Sequence, residues 1–145
     1  MPTVSDVAAY ILKKCRPMTA MKLQKLVYYC QAWSLVWDER PLFGERVEAW
    51  ANGPVVLELY DQHRGMFKID HSLLDKGDER GLDDEAVETV DAVLKFYGKK
   101  SSQWLSDLTH SEDPWREARR GLAPGQRGDR EITHGAMMEY YSGLS

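Results

Sequence analysis

Apolar positions recur at helical spacing over most of the chain. Val7, Ala8, Ile11 and Leu12 follow i, i+1, i+4, i+5 spacing behind a capping-type Ser5, and Pro17 predicts the end of that helix. The strongest segment opens at Thr19 and reads "TAMKLQKLVYYCQAWSLVW". Leu23, Leu26, Val27, Cys30, Trp33, Ser34 and Trp37 share one broad face, with Lys22, Lys25 and Tyr29 outside it. That helix is expected to be the hub of the core. Ala86, Val87, Val90, Val93, Leu94 and Tyr97 mark another amphipathic helix, and "SSQWLSDLTH" a shorter one with Trp104, Leu105 and Leu108 inward. Asp113-Pro114 reads as a cap and first-turn proline, and Thr133 as the cap of a last helix carrying Met137, Met138, Tyr140 and Tyr141.

The period changes once. In "ERVEAWA", Val47, Ala49 and Ala51 alternate as in a strand. The following Asn52-Gly53 is a hairpin signal, but a turn built on those two residues would need the backbone N–H of Pro54 to close it, and proline has none. The expected course is therefore a strand, a Gly53-Pro54 corner, and a helix with Pro54 in its first turn, Val56, Leu59, Tyr60 and His63 on one stripe and Gly65 at its end. The fold class so predicted is mainly α: a single compact helical domain over residues 1–145 with a small β element, a strand or hairpin near residues 42–51.

Composition adds limits. With 43% apolar and 29% charged residues the chain reads as globular, and a net charge of −4 disfavours wholesale nucleic-acid binding. Lys95, Lys99, Lys100, Arg116, Arg119, Arg120, Arg127 and Arg130 could still form a local basic patch, diluted by Asp107, Glu112, Asp113, Glu117 and Asp129. Between Asp70 and Asp91, nine acidic residues face only Lys76 and Arg80, which reads as a solvated face or as a complement to a basic partner. No signal-peptide pattern and no membrane-length apolar run occurs, so a cytoplasmic location is expected, with Cys15 and Cys30 as reduced, packed thiols.

Candidate chemistry is sparse. His63, His71, His110 and His134 have no metal-type spacing, and no nucleophile signature occurs, so neither a metal nor a cofactor is expected. "LTHSEDPW" could make His110 a general base beside a carboxylate, but reads better as a corner between helices. The start of the helix after Pro54 reads as a corner rather than a phosphate loop, having one glycine and no nearby lysine. Five Trp and seven Tyr suit a binding module. Trp33 and Trp104 are read as core, and Tyr29, Trp37, Trp115 and Tyr141 as partly exposed.

Four blocks carry a resemblance: "MKLQKLVYYCQAW", "FGERVEAWANGPVVLELY", "LTHSEDPWREAR" and a final "MMEYY". Together they resemble the Panacea domain, known from SocA-like and phage-associated proteins, from about Val7 to Tyr141. The matching positions include Lys22, Lys25, Tyr28, Tyr29, Trp50, Gly53, Pro54, Tyr60, His110 and Trp115. The resemblance implies a non-enzymatic antitoxin that neutralises a cognate toxin, encoded by an adjacent gene, through direct protein contact, and makes those residues the candidate partner-binding set. A proteolytic adaptor and a hydrolase-like enzyme centred on His110 are the alternatives. Homo-oligomerisation stays open, and 145 residues leave little room for a separate DNA-binding domain.

Overall fold

The computed structural model describes residues 1–70 and 77–144. His71 and part of the Asp70–Asp91 acidic run lie outside them. Helix α1 (Val4–Lys14) is capped by Thr3, not Ser5. The Thr3 hydroxyl accepts from the Asp6 N–H at 3.1 Å, and the Asp6 carboxylate accepts from the Thr3 N–H at 2.9 Å, a reciprocal capping box. Ser5 instead sits inside the helix and receives the Gln62 side chain. The helix stops three residues before Pro17, and Met18–Thr19 (β1) pairs with Lys68–Ile69 (β4).

Helix α2 (Ala20–Trp37) starts at Thr19, whose hydroxyl accepts from the Lys22 N–H at 3.1 Å. Every residue from Leu23 to Leu35 is buried. Helices α1, α4 (Asp84–Tyr97), α5 (Ser102–Ser111) and α7 (His134–Ser142) and the strand Gly53–Val55 all pack on it. A helix covered on all sides has no polar face, and this corrects the expectation that Lys25 and Tyr29 lie outside the buried stripe: both are 0% exposed. Asp83 caps α4, Thr133 caps α7, and Glu112, one residue earlier than expected, leads α6 (Asp113–Ala118), with Pro114 in its first turn. The fold is mainly α with small antiparallel sheets.

The stretch after Arg46 is a hairpin, contrary to the corner expected. Strand β2 (Val47–Trp50) pairs antiparallel with β3 (Gly53–Val55) in the register Trp50↔Gly53, Ala49↔Pro54, Glu48↔Val55. The loop is Ala51-Asn52, one residue earlier than the Asn-Gly reading, so Gly53 closes the turn and Pro54 falls at the next pair. Adjacent pairs in an antiparallel ladder alternate between hydrogen-bonded and non-bonded. Ala49 sends its N–H the other way, to the Arg130 carbonyl at 2.8 Å, so Pro54 stands where no donor is needed. β5 (Glu131–Ile132) lies on the far side of β2. The helix expected to begin at Pro54 begins at Leu57 and forms α3 (Leu57–His63), with Gly65 beyond its end at φ +83°.

Two glutamines on one face of α2 hold the intervening chain in place. Gln31 accepts from the N–H groups of Leu42 (2.7 Å) and Phe43 (3.3 Å) and donates to the Phe43 carbonyl at 2.9 Å. Gln24 accepts from the Val56 N–H at 2.9 Å, donates to the Val56 carbonyl at 3.3 Å, and meets His63 Nε2 at 3.0 Å. Each amide behaves as a peptide group would in a ladder, satisfying buried backbone that has no strand beside it.

Among the described residues, no helix is long and apolar enough to cross a membrane. Both cysteines are free thiols, with Cys30 buried and its ionisation pushed up by that burial. The acidic run is partly structural: Asp83 caps α4 and binds Arg40 at 2.8 Å, Glu85 binds Arg40 at 3.1 Å, and Asp91 accepts from Tyr10 at 2.7 Å.

Candidate partner-binding site

The candidate residues separate into three places. Lys22 is a capping contact: its ammonium donates to the Gly98 carbonyl at the end of α4 at 2.7 Å. Tyr28 and Tyr29 belong to a buried network that sequence reasoning missed. The Tyr29 and Tyr141 hydroxyls both donate to Glu112 Oε1 at 2.7 Å, and the Tyr28 and Tyr141 hydroxyls meet at 3.0 Å. Tyr29 also stacks on Tyr97 with ring centres 4.2 Å apart. Burial pushes the Glu112 carboxyl above its usual range, and the two phenol donors pull it partly back. Tyr29 and Tyr141 are therefore core, not partly exposed, whereas Trp104, expected inside, is 40% exposed. A Glu one residue before a proline-led helix gave no signal of burial, because the partners come from α2 and α7.

The remaining seven residues, Lys25, Trp50, Gly53, Pro54, Tyr60, His110 and Trp115, gather around the β2–β3 hairpin. On one side of it lies a cleft of about 650 Å³. Trp50 and Tyr60 form one wall, half-buried, with ring centres 4.9 Å apart in an edge-to-face arrangement. Gln24, Val55 and His63 also line it, with Asn52, Arg127 and Asp129 as its exposed polar members. Burial lowers the His63 pKa, so this ring is neutral at pH 7. The Trp50 indole N–H is held by Glu48 at 2.8 Å, which fixes the ring toward the cleft mouth.

The other side of the hairpin is closed. The Trp115 indole N–H donates to the Trp50 carbonyl at 2.8 Å, its ring stacks on His110 at 4.1 Å, and the Arg119 guanidinium lies 5.4 Å from it. Arg119, read as part of a surface basic patch, is instead buried and bonds the carbonyls of Ala49 (3.1 Å), Ala123 (3.4 Å) and Gln126 (2.5 Å). Burial lowers the His110 pKa, contact with the Asn52 backbone and the charge of Asp107 oppose it, and the charges of Lys25 and Arg119 add to the lowering. Among the described residues, no hydrogen bond joins His110 to a carboxylate, and its ring is stacked on Trp115.

Gly53 sets the distance between hairpin and helix. Its φ is +127°, and a methyl group added there would lie 2.5 Å from Lys25 Cε and 2.9 Å from Lys25 Nζ. Gly53→Ala is expected to destabilise the protein by about 1–3 kcal/mol from backbone strain, plus the displacement of Lys25. Gly65→Ala, at φ +83° with open space around it, has the backbone cost alone. Urea unfolding of both variants tests this; an equal loss would mean that Lys25 gives way freely.

No curated protein and no solved structure matches the chain. A family described as "Antitoxin SocA-like, Panacea domain" matches residues 23–116. That span contains Tyr28 and Tyr29, all seven residues at the hairpin, and Glu112, but neither Lys22 nor the "MMEYY" block. A match over more than half of its length, covering the central helix and the hairpin around which the site is built, places this chain in the SocA-like antitoxin, Panacea-domain family.

Proposed function

We propose that the protein is an antitoxin that neutralises a cognate toxin, encoded by an adjacent gene, through direct contact and without catalysis. The observation that carries this reading is the half-exposed Trp50–Tyr60 pair at the cleft, inside the stretch that matches the antitoxin family. Aromatic anchors at a concave site, ringed by polar groups, have the anatomy of an interface hot spot. The toxin would insert a side chain between the aromatic wall and the Arg127–Asp129 rim.

The test is co-expression with the neighbouring gene product, followed by binding measurements on purified proteins. Trp50→Ala and Tyr60→Ala are each expected to weaken binding about 30-fold or more and to abolish rescue of growth. His110→Gln should leave rescue intact, whereas a hydrolase centred on His110 would lose it. Retention of affinity by both aromatic variants would remove the cleft from the interface. A rescue that disappears when cellular proteases are depleted would mean delivery to a protease rather than holding.

A further inference from the structure

The closed side of the hairpin carries a charge that the protein itself does not answer. Lys25 is 0% exposed, and among the described residues its ammonium has no hydrogen-bond partner. Burial is the cause that lowers its pKa, to about 8, with no carboxylate among the described residues acting on it. His110 Nε2 is likewise buried and without a partner among the described residues. The Thr109 hydroxyl donates to the Ser106 carbonyl at 2.8 Å and lies 3.4 Å from the position a Gly53 methyl would take, so it borders the ammonium without a donor to spare. The other buried cation beside the hairpin, Arg119, bonds carbonyls rather than acids.

Buried charges are normally paired, because an ammonium out of water without a counter-ion is costly. A neutral water molecule could fill hydrogen bonds here but could not neutralise the charge. A single carboxylate could do both, since its two oxygens can accept from the ammonium and from the neutral His110 ring in the tautomer that carries its proton on Nε2. The site holds one formal positive charge while His110 is neutral, and the Gly53 backbone leaves little room, so a compact monoanion fits better than a phosphate dianion. A 3.4 Å bond from the Ser106 hydroxyl to the Asn52 carbonyl ties the Ala51-Asn52 tip above the site to α5.

We propose that Lys25 and His110, roofed by the Asn52-Gly53 end of the hairpin, form a carboxylate-binding site. Its ligand is either a small organic acid or the side chain of an acidic residue on another protein. The proposal is independent of the antitoxin reading, because it is tested on the isolated protein. The readout is the titration of the Lys25 amine, followed by NMR of its ε-carbon in the full chain. Sodium acetate, matched in ionic strength by sodium chloride, is one probe, and a short blocked glutamate peptide is the other. Binding is expected to raise the Lys25 midpoint by about 1–3 units, as a carboxylate within a few ångströms does, and to shift the His110 ring signals. Lys25→Met should remove the His110 response. A response to acetate alone identifies a small acid as the ligand, and a response to the peptide identifies a protein side chain. Unchanged Lys25 titration with both probes overturns the proposal, and so does an identical His110 response in wild type and Lys25→Met.

Discussion

Replacing Lys25 by Met will make the protein more stable, by about 3 kcal/mol at pH 7. Burial holds this amine near pKa 8, against the ordinary 10.5 that the unfolded chain retains. Each unit of that difference corresponds to about 1.4 kcal/mol. The sign follows from proton binding. Below about pH 8 both states are protonated, and the native state carries the full cost of a buried charge. Between about 8 and 10.5 the unfolded chain binds more protons, so wild-type stability rises with pH through that window. Lys25→Met keeps the aliphatic stem, removes the charge and should flatten that rise, as replacements of buried ions by apolar groups of similar volume often do. Urea unfolding at several pH values measures both effects together. A variant less stable than wild type, or one that retains the alkaline rise, would mean that another group carries this titration.

Tyr141→Phe is expected to destabilise by about 3 kcal/mol or more, for the loss of one hydroxyl. The bond to Glu112 is charge-assisted, and such bonds contribute about 1.5–3 kcal/mol each. The same change strips Tyr28 of its partner and leaves that hydroxyl buried alone. Its pH dependence has a defined direction. The folded Glu112 carboxyl lies above its usual value, so the native state keeps this proton longer than the unfolded chain. Its contribution is most favourable in acid and is lost as pH rises through the folded pKa. Removing a donor raises that pKa further, so the deficit of Tyr141→Phe should be smallest in acid and grow toward neutrality. Glu112→Gln keeps an acceptor for both phenols and should abolish the pH term. A deficit that is constant with pH would place its origin in packing and not in the carboxylate.

Local chemistry made much of this fold legible. Thr19 and Thr133 cap their helices because a short hydroxyl side chain reaches the third backbone N–H, a property of a few consecutive residues. The spacing of Val90 and Val93 places α4 against the core for the same local reason. What failed was long-range. Lys25 and Tyr29 stand off the apolar stripe of α2, but α5 and the hairpin cover one flank and α4 and α7 the others, and no periodicity within α2 reports on them. The hairpin was misread over a single residue, since Pro54 bars a turn closed at Pro54 but not one closed at Gly53. The convergence of Trp50, Tyr60, His110 and Trp115 was not legible from spacing at all. It reached the sequence reading only through the resemblance of separate blocks.

Gln24 and Gln31 make α2 a ruler. They stand seven residues apart, close to two turns, so one helix face fixes where Val56 leads into α3 and where Leu42 and Phe43 turn toward β2. The strand and Trp50 are thus suspended between two fixed points on one rigid rod, and Tyr60 follows one turn beyond the second. A single residue inserted between the glutamines would swing one of them by roughly 100° and pull the two ends of that suspension out of phase. The interval from Gln24 to Gln31 therefore sets the distance between the two ends of the hairpin segment, and its length is a dimension of the fold rather than a free parameter.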